Sequence, residues 1–204
     1  MKLYEVIRRT QRVKEPLEDY LHRLDKMGVA KPGRKRIGFL GSGAYAHVYQ
    51  HPEHEGIAVK VSGEEYSVLR YVRFALANQR NPYVPKIYDV HRFRDSRDDE
   101  EYFVIFMEKL NDYEGLRNQQ KKQILRYHVG NLVDITNNFT DFFWEDSLKV
   151  LSYLRKHAKE EKLPLAQFLI PVLSYLYKND MEDTHDANIM LRGSKQIVFT
   201  DPAV

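Results

Sequence analysis

Residues 36–61 read "RIGFLGSGAYAHVYQHPEHEGIAVKV", and their texture decides what kind of protein this is. Strand-like alternation runs through "RIGFLGSGAYAHVYQ" and again through "IAVKV", with the Gly-containing "HPEHEG" between them. Two such arms predict an antiparallel hairpin. In the first arm Gly41 and Gly43 let the backbone turn tightly and approach a ligand with no Cβ in the way. Tight hairpins use Gly-Ser-Gly for steric reasons alone, so this loop is weak evidence by itself. Lys60, amid Ile57, Ala58, Val59 and Val61, adds to it. A lysine on such a strand either snorkels from a sheet edge or meets an anion, and a carboxylate-paired lysine can hold phosphate oxygens. Glu65, on the apolar face of the next helix, is the candidate partner.

Outward from this stretch the pattern alternates between periods. "PLEDYLHRLDKMGV" (16–29) places Leu17, Tyr20, Leu21 and Leu24 at helical spacing. "GEEYSVLRYVRFALAN" (63–78) is helical too, with Glu65, Val68, Leu69, Val72 and Leu76 on one face. "VPKIYDVHRF" and "EYFVIFMEKL" predict two strands joined by a charged, solvated turn. Three helices follow. Ile124, Tyr127, His128, Leu132 and Ile135 mark the first, Leu148, Leu151 and Leu154 the second, and "PLAQFLIPVLSYLYKND" (164–180) the third, with a kink expected at Pro171. "NIMLRGSKQIVFTD" closes with a short hairpin around Gly193. Strands segregated from helices predict an α+β protein with a β-rich lobe and a helical lobe.

Composition narrows the class. The chain has 204 residues, 43% apolar and 12% aromatic, which is globular rather than disordered. It has no cysteine, which excludes a disulfide framework, a thiolate metal site and a cysteine nucleophile, and a reducing cytoplasm is the expected setting. No apolar run approaches membrane-spanning length, so no membrane association is expected. Net charge is +3, and the one basic cluster, "KPGRKR" (31–36), reads as a solvated linker, so nucleic acid is not an expected partner.

The end of the chain, "DTHDANIMLRGSKQIVFTDPAV" (183–204), carries the second constellation. Asp183 and Asn188 fall in a loop leaving a helix, and Asp201 ends the second strand of the hairpin. A hairpin brings its ends together, so Asp201 is expected to return to Asn188. A carboxylate and an amide oxygen facing each other suit Mg²⁺, which prefers hard oxygen ligands. Asp183 is then available to orient a hydroxyl nucleophile and accept its proton. Each residue alone reads equally as a turn residue. Loop, lysine, helix glutamate and trio together occur in the one order that builds a single cleft.

That combination resembles the protein-kinase fold over about residues 37–204. It is most similar to the early serine/threonine protein kinases of T7-like bacteriophages, through "VYQHPEH…AVKV", "VPKIYDV", "NIML" and "VFTDPAV". The resemblance implies a compact bilobal α+β fold, truncated after the metal-binding aspartate. Its parts would be an N-terminal helical extension (1–36), a kinase N-lobe (37–110) and a minimal C-lobe (111–204). It implies ATP as phosphate donor, bound through Leu40, Gly41, Ser42, Gly43, Ala44, Tyr45, Val48, Ala58, Lys60 and Glu65. Met107, Glu108 and Leu110 would line the adenine side, with Met107 near the gatekeeper position. Asp183 becomes the catalytic aspartate alongside Lys60, and Asn188 and Asp201 become the Mg²⁺ ligands. Host proteins are the implied substrates, phosphorylated in the bacterial cytoplasm with effects on host transcription or defence.

Departures from the pattern set further expectations. Ala46 stands where the third loop glycine is usual, and Met181 and Glu182 stand where His and Arg precede the catalytic aspartate. No activation segment follows "TDPAV", so control by loop phosphorylation is not expected, and any substrate platform must come from 111–180, from 1–36 or from another subunit. His185 reads as a brace for its loop rather than a metal ligand. Two other classes stay open: a catalytically weak kinase-like binder that inhibits a host protein by occupancy, and a small-molecule phosphotransferase.

Overall fold

The computed structural model describes residues 13–15, 38–42, 46–51, 54–63, 66–95, 101–135, 142–181 and 184–200. The chain forms two compact units, Met1–Leu76 with Lys86–Lys109, and Ala77–Pro85 with Leu110–Val204. The helix expected at 16–29 lies outside the described residues.

The first unit is built on a six-stranded sheet. Its strands in chain order are β1 (Val13–Glu15), β2 (Phe39–Ser42), β3 (Ala46–Gln50), β4 (Ile57–Gly63), β5 (Ile87–Asp95) and β6 (Glu101–Glu108). Their spatial order is β1-β5-β6-β4-β3-β2, and every pairing is antiparallel except β1 with β5. The sequence stretch at 36–61 therefore makes three strands where the alternation predicts two. The long first arm contributes both β2 and β3, which pair antiparallel. β1 is a further departure, a strand within the segment expected to be a helical extension. The charged run before Glu101 does connect an antiparallel pair, β5 and β6, as expected, and Arg92 on β5 reaches across to ion-pair with Glu101.

Alternation puts Val59, Val61, Val104 and Phe106 on one face, where they form an apolar cluster with Tyr49, Ile57 and Tyr102 packed against it. Full burial of such side chains stabilises by about 1.5–3 kcal/mol each. Helix α1 (Tyr66–Ala77) buries Val68, Tyr71, Val72 and Ala75, a stripe at i, i+3, i+4 and i+7.

The second unit holds α2 (Asn118–Val129), the single turn α3 (Leu132–Ile135), α4 (Phe142–His157) and α5 (Ala166–Lys178). A small sheet joins β7 (Asn111–Asp112) to the hairpin β8 (Ile189–Arg192) and β9 (Gln196–Phe199) in the order β7-β8-β9. The predicted helix spanning the start of this region ends instead at Gly130, whose positive φ of 59° a side chain would strain. On α2 the buried stripe is Lys121, Ile124, Leu125, His128 and Val129, while Tyr127 turns out to be exposed. On α4, Val150, Leu151 and Leu154 are buried and Leu148 is exposed. Pro171 lies within α5.

Residues 77–85 are close in sequence to the sheet yet belong to the second unit. Tyr83 and Val84 are fully buried there. The Arg192 guanidinium donates to the carbonyls of Pro82 at 2.7 Å and Val84 at 3.0 Å, and the Phe199 N–H donates to the Tyr83 carbonyl at 3.0 Å. The hairpin β8–β9 is thereby tied to this connection by three hydrogen bonds.

Candidate active site

In the first unit, register alone sorts the sequence-predicted residues. Gly41 pairs with Val48, Val48 with Lys60, Lys60 with Ile105 and Ile105 with Val90. Two positions along, Gln50 pairs with Ala58, and Ala58 with Met107. Directly opposed residues share a face and the side-chain period is two. Gly41, Val48, Ala58, Lys60 and Met107 therefore lie on one face of the sheet, opposite the Val59–Phe106 cluster. Lys60 is only 7% exposed, in the middle of the sheet, so it is no edge-strand snorkel. A cation at such a position is retained where an anion meets it, because an isolated buried charge is strongly disfavoured.

Gly41 has room around it. A Cβ placed there would meet nothing within 4 Å, and its φ is not in the left-handed region, so the chain itself does not require a glycine at this position. The neighbouring Leu40 sits where the β2–β3 register shifts, and it is exposed. Gly43, Ala44, Tyr45 and Glu65 lie outside the described residues, so the Lys60–Glu65 pairing expected from sequence does too.

At the end of β6, Glu108 is buried and its carboxylate accepts the Lys86 N–H at 2.8 Å. The Glu108 N–H donates to the Lys86 carbonyl at 2.9 Å, and the Lys109 N–H to the Gly56 carbonyl at 2.8 Å. Two of the backbone donors near this strand end are thus engaged by the chain itself.

In the second unit, the chain leaves α5 through Met181 and Thr184, both buried. Met181, 1% exposed, serves as an apolar anchor. A short 3-10 turn, Asp186–Asn188, then leads into β8. His185 precedes this turn; its Nδ1 lies 3.2 Å from the Ala187 N–H and its Nε2 lies 3.1 Å from Asn188 Nδ2. A neutral imidazole accepts at one nitrogen only, so one of the two contacts is a hydrogen bond at a time. When Nε2 accepts, the amide N–H of Asn188 is the part that His185 engages, and its oxygen is the part suited to a hard cation. His185 braces the loop in the manner expected.

The hairpin brings the chain back to this loop. Ile189 pairs with Phe199, and the Asn188 carbonyl accepts both the Thr200 N–H at 2.9 Å and the Thr200 hydroxyl at 3.1 Å. Gly193, with φ of 68°, makes the turn, and its carbonyl accepts from the Asn111 amide at 2.8 Å. Asp183 and Asp201 lie outside the described residues. Among the described residues no cluster of three His, Cys, Asp or Glu could hold a metal ion. No described helix is long and apolar enough to cross a membrane.

Two buried polar groups stand out in this unit: Lys121, which sequence reasoning left unremarked, and His128, which it placed on the apolar helix face without naming its bonds. Lys121 Nζ lies 2.5 Å from Asp186 Oδ2, both groups being buried, and 5.4 Å from the Tyr113 ring centroid. The signal was available: Lys121 is in helical phase with Leu125 and His128, a core position at which a lysine needs a counter-charge. His128 is the other. Its Nε2 meets the Lys195 carbonyl at 2.8 Å and its Nδ1 meets the Tyr83 hydroxyl at 2.7 Å. The neutral tautomer with the proton on Nε2 satisfies both. Burial pushes the His128 pKa down to about 4, and burial pushes the Tyr83 hydroxyl up.

Residues 18–204 match the family model described as bacteriophage T7 protein kinase 0.7. Among curated proteins none matches the chain.

Proposed function

The chain belongs to the bacteriophage T7 protein kinase family, and we propose that it transfers the γ-phosphoryl group of ATP to serine or threonine hydroxyls of bacterial host proteins. The observation that carries this reading is the common sheet face of Gly41, Val48, Ala58, Lys60 and Met107, with a buried lysine at its centre. On this reading the apolar members flank the adenine and the Leu110 N–H donates to it. Lys60 holds phosphate oxygens with a fixed positive charge.

Asp183 accepts a hydrogen bond from the attacking hydroxyl, aligns it with the γ-phosphorus and takes its proton as the new P–O bond forms and the bond to the leaving oxygen breaks. Asn188 and Asp201 would hold Mg²⁺, and their oxygen donor set suits it. When bound, the ion supplies charge neutralisation for the phosphates. Thr200 and His185 fix the backbone and amide of Asn188 beforehand, so little reorganisation remains at the moment of reaction. Action on host proteins in the bacterial cytoplasm during infection is part of the same proposal.

The test is transfer of label from γ-labelled ATP, with Mg²⁺, to the proteins of a bacterial lysate. The wild-type chain is expected to label lysate proteins, and Asp183→Ala and Lys60→Met to reduce labelling by about 100-fold or more. Labelling by the wild type no greater than by Asp183→Ala would sink the proposal.

A further inference from the structure

Lys121 and Asp186 come from points 65 residues apart, and their side chains are 3% and 7% exposed. Burying two charges is expensive. An apolar pair of similar volume would hold α2 against the 186–188 turn about as well or better. Stability alone is therefore a poor reason for an ion pair here. What the pair adds is direction, since a charged hydrogen bond inside the protein is satisfied in one arrangement and an apolar contact in many. Tyr113 narrows the arrangement further. Its buried ring lies 5.4 Å from the ammonium and bounds the space in which Lys121 can move.

Asp186 opens the turn whose other members are Ala187 and Asn188, and it stands between Asp183 and Asn188 in the chain. Fixing Asp186 thus fixes the described turn that carries Asn188. The ammonium also balances a carboxylate that would otherwise add negative charge three residues from Asp183, where an anionic phosphate must approach. We infer that Lys121 is a positioning residue for phosphoryl transfer, acting through Asp186 to set the 186–188 turn and with it Asn188. This rests on the kinase reading above and adds a residue that the loop's own sequence does not contain.

The test compares the wild type with the double variant Lys121→Met/Asp186→Leu, which replaces the pair with apolar groups. Melting temperature, amide exchange at residues 184–189, and label transfer from γ-labelled ATP to lysate proteins over a range of ATP concentrations are measured together. The double variant is expected to melt close to the wild type while its maximal rate falls about 100-fold. Its KM for ATP should stay within about 3-fold of the wild-type value, because ground-state binding is not what is lost. Exchange at Ala187 and Asn188 should quicken.

A maximal rate that recovers along with the melting temperature, or unchanged exchange in the loop, would overturn the positioning role. Should the double variant fail to fold, Asp186→Asn keeps the shape and an acceptor oxygen and serves the same test. It is expected to lower the rate about 10-fold at unchanged KM, and an unaltered rate would count against the inference. A wild-type chain with no Asp183-dependent transfer would remove the kinase reading itself. That result is distinct from an active wild type whose double variant is equally active.

Discussion

His128 shows what one buried titratable residue contributes at the scale of a side chain. Its ring is neutral and fully enclosed, bonded to the Tyr83 hydroxyl and the Lys195 carbonyl, and burial holds its pKa at about 4. In the unfolded chain the same ring titrates near its ordinary value of about 6.5. As pH falls, the unfolded state therefore takes up a proton first. The contribution is fully present above about pH 6.5 and is lost as the pH falls toward about 4, a total of about 3 kcal/mol. Urea midpoints should drop between about pH 6.5 and 5, before most carboxylates titrate, and His128→Gln should flatten that limb. An equally steep limb in the variant would place the titration elsewhere. Lys60 was legible at this scale because a strand has period two, so its neighbours in sequence define its face. The partnership of Lys121 with Asp186 was not, because a contact spanning 65 residues leaves no local pattern.

Among the elements, two glycines with positive φ separate backbone strain from crowding. Gly130 ends α2 with φ 59°, ψ −136°, a region reserved largely for glycine, and a Cβ there would run into the Glu161 carboxylate. That carboxylate is already engaged by the Asn131 N–H at 2.9 Å and by the Tyr153 hydroxyl. Gly193 in the β8–β9 turn has φ 68° but nothing within 4 Å of a Cβ. Gly193→Ala should therefore cost only the backbone term, about 1 kcal/mol, while Gly130→Ala should cost several-fold more by displacing Glu161 as well. Thermal melts of the two variants decide it, and equal losses would contradict this account. Helical periodicity located the helices of the second unit but misjudged Tyr127 and Leu148. Apolar residues also occupy helix flanks, and only the packing partner decides which are covered.

For the molecule as a whole, local periodicity made the order of elements after residue 37 largely legible, with the β-rich region first and the helices after it. The assignment of 77–85 to the second unit was not legible. It depends on hydrogen bonds from Arg192 and Phe199, more than a hundred residues further along the chain. Of the candidate site, Asp183, Asp201 and Glu65 lie outside the described residues. Lys60 and Asn188 stand in settings that suit their proposed work, one buried on a sheet and one held by His185 and Thr200. The brace behind the loop came only from the fold. The central claim is phosphorylation of host proteins on serine or threonine. It is tested most directly by phosphoproteomics of bacteria expressing the wild-type chain or Asp183→Ala. The account predicts a set of phosphoserine and phosphothreonine sites present with the wild type and missing with the variant; identical site patterns in the two would contradict it.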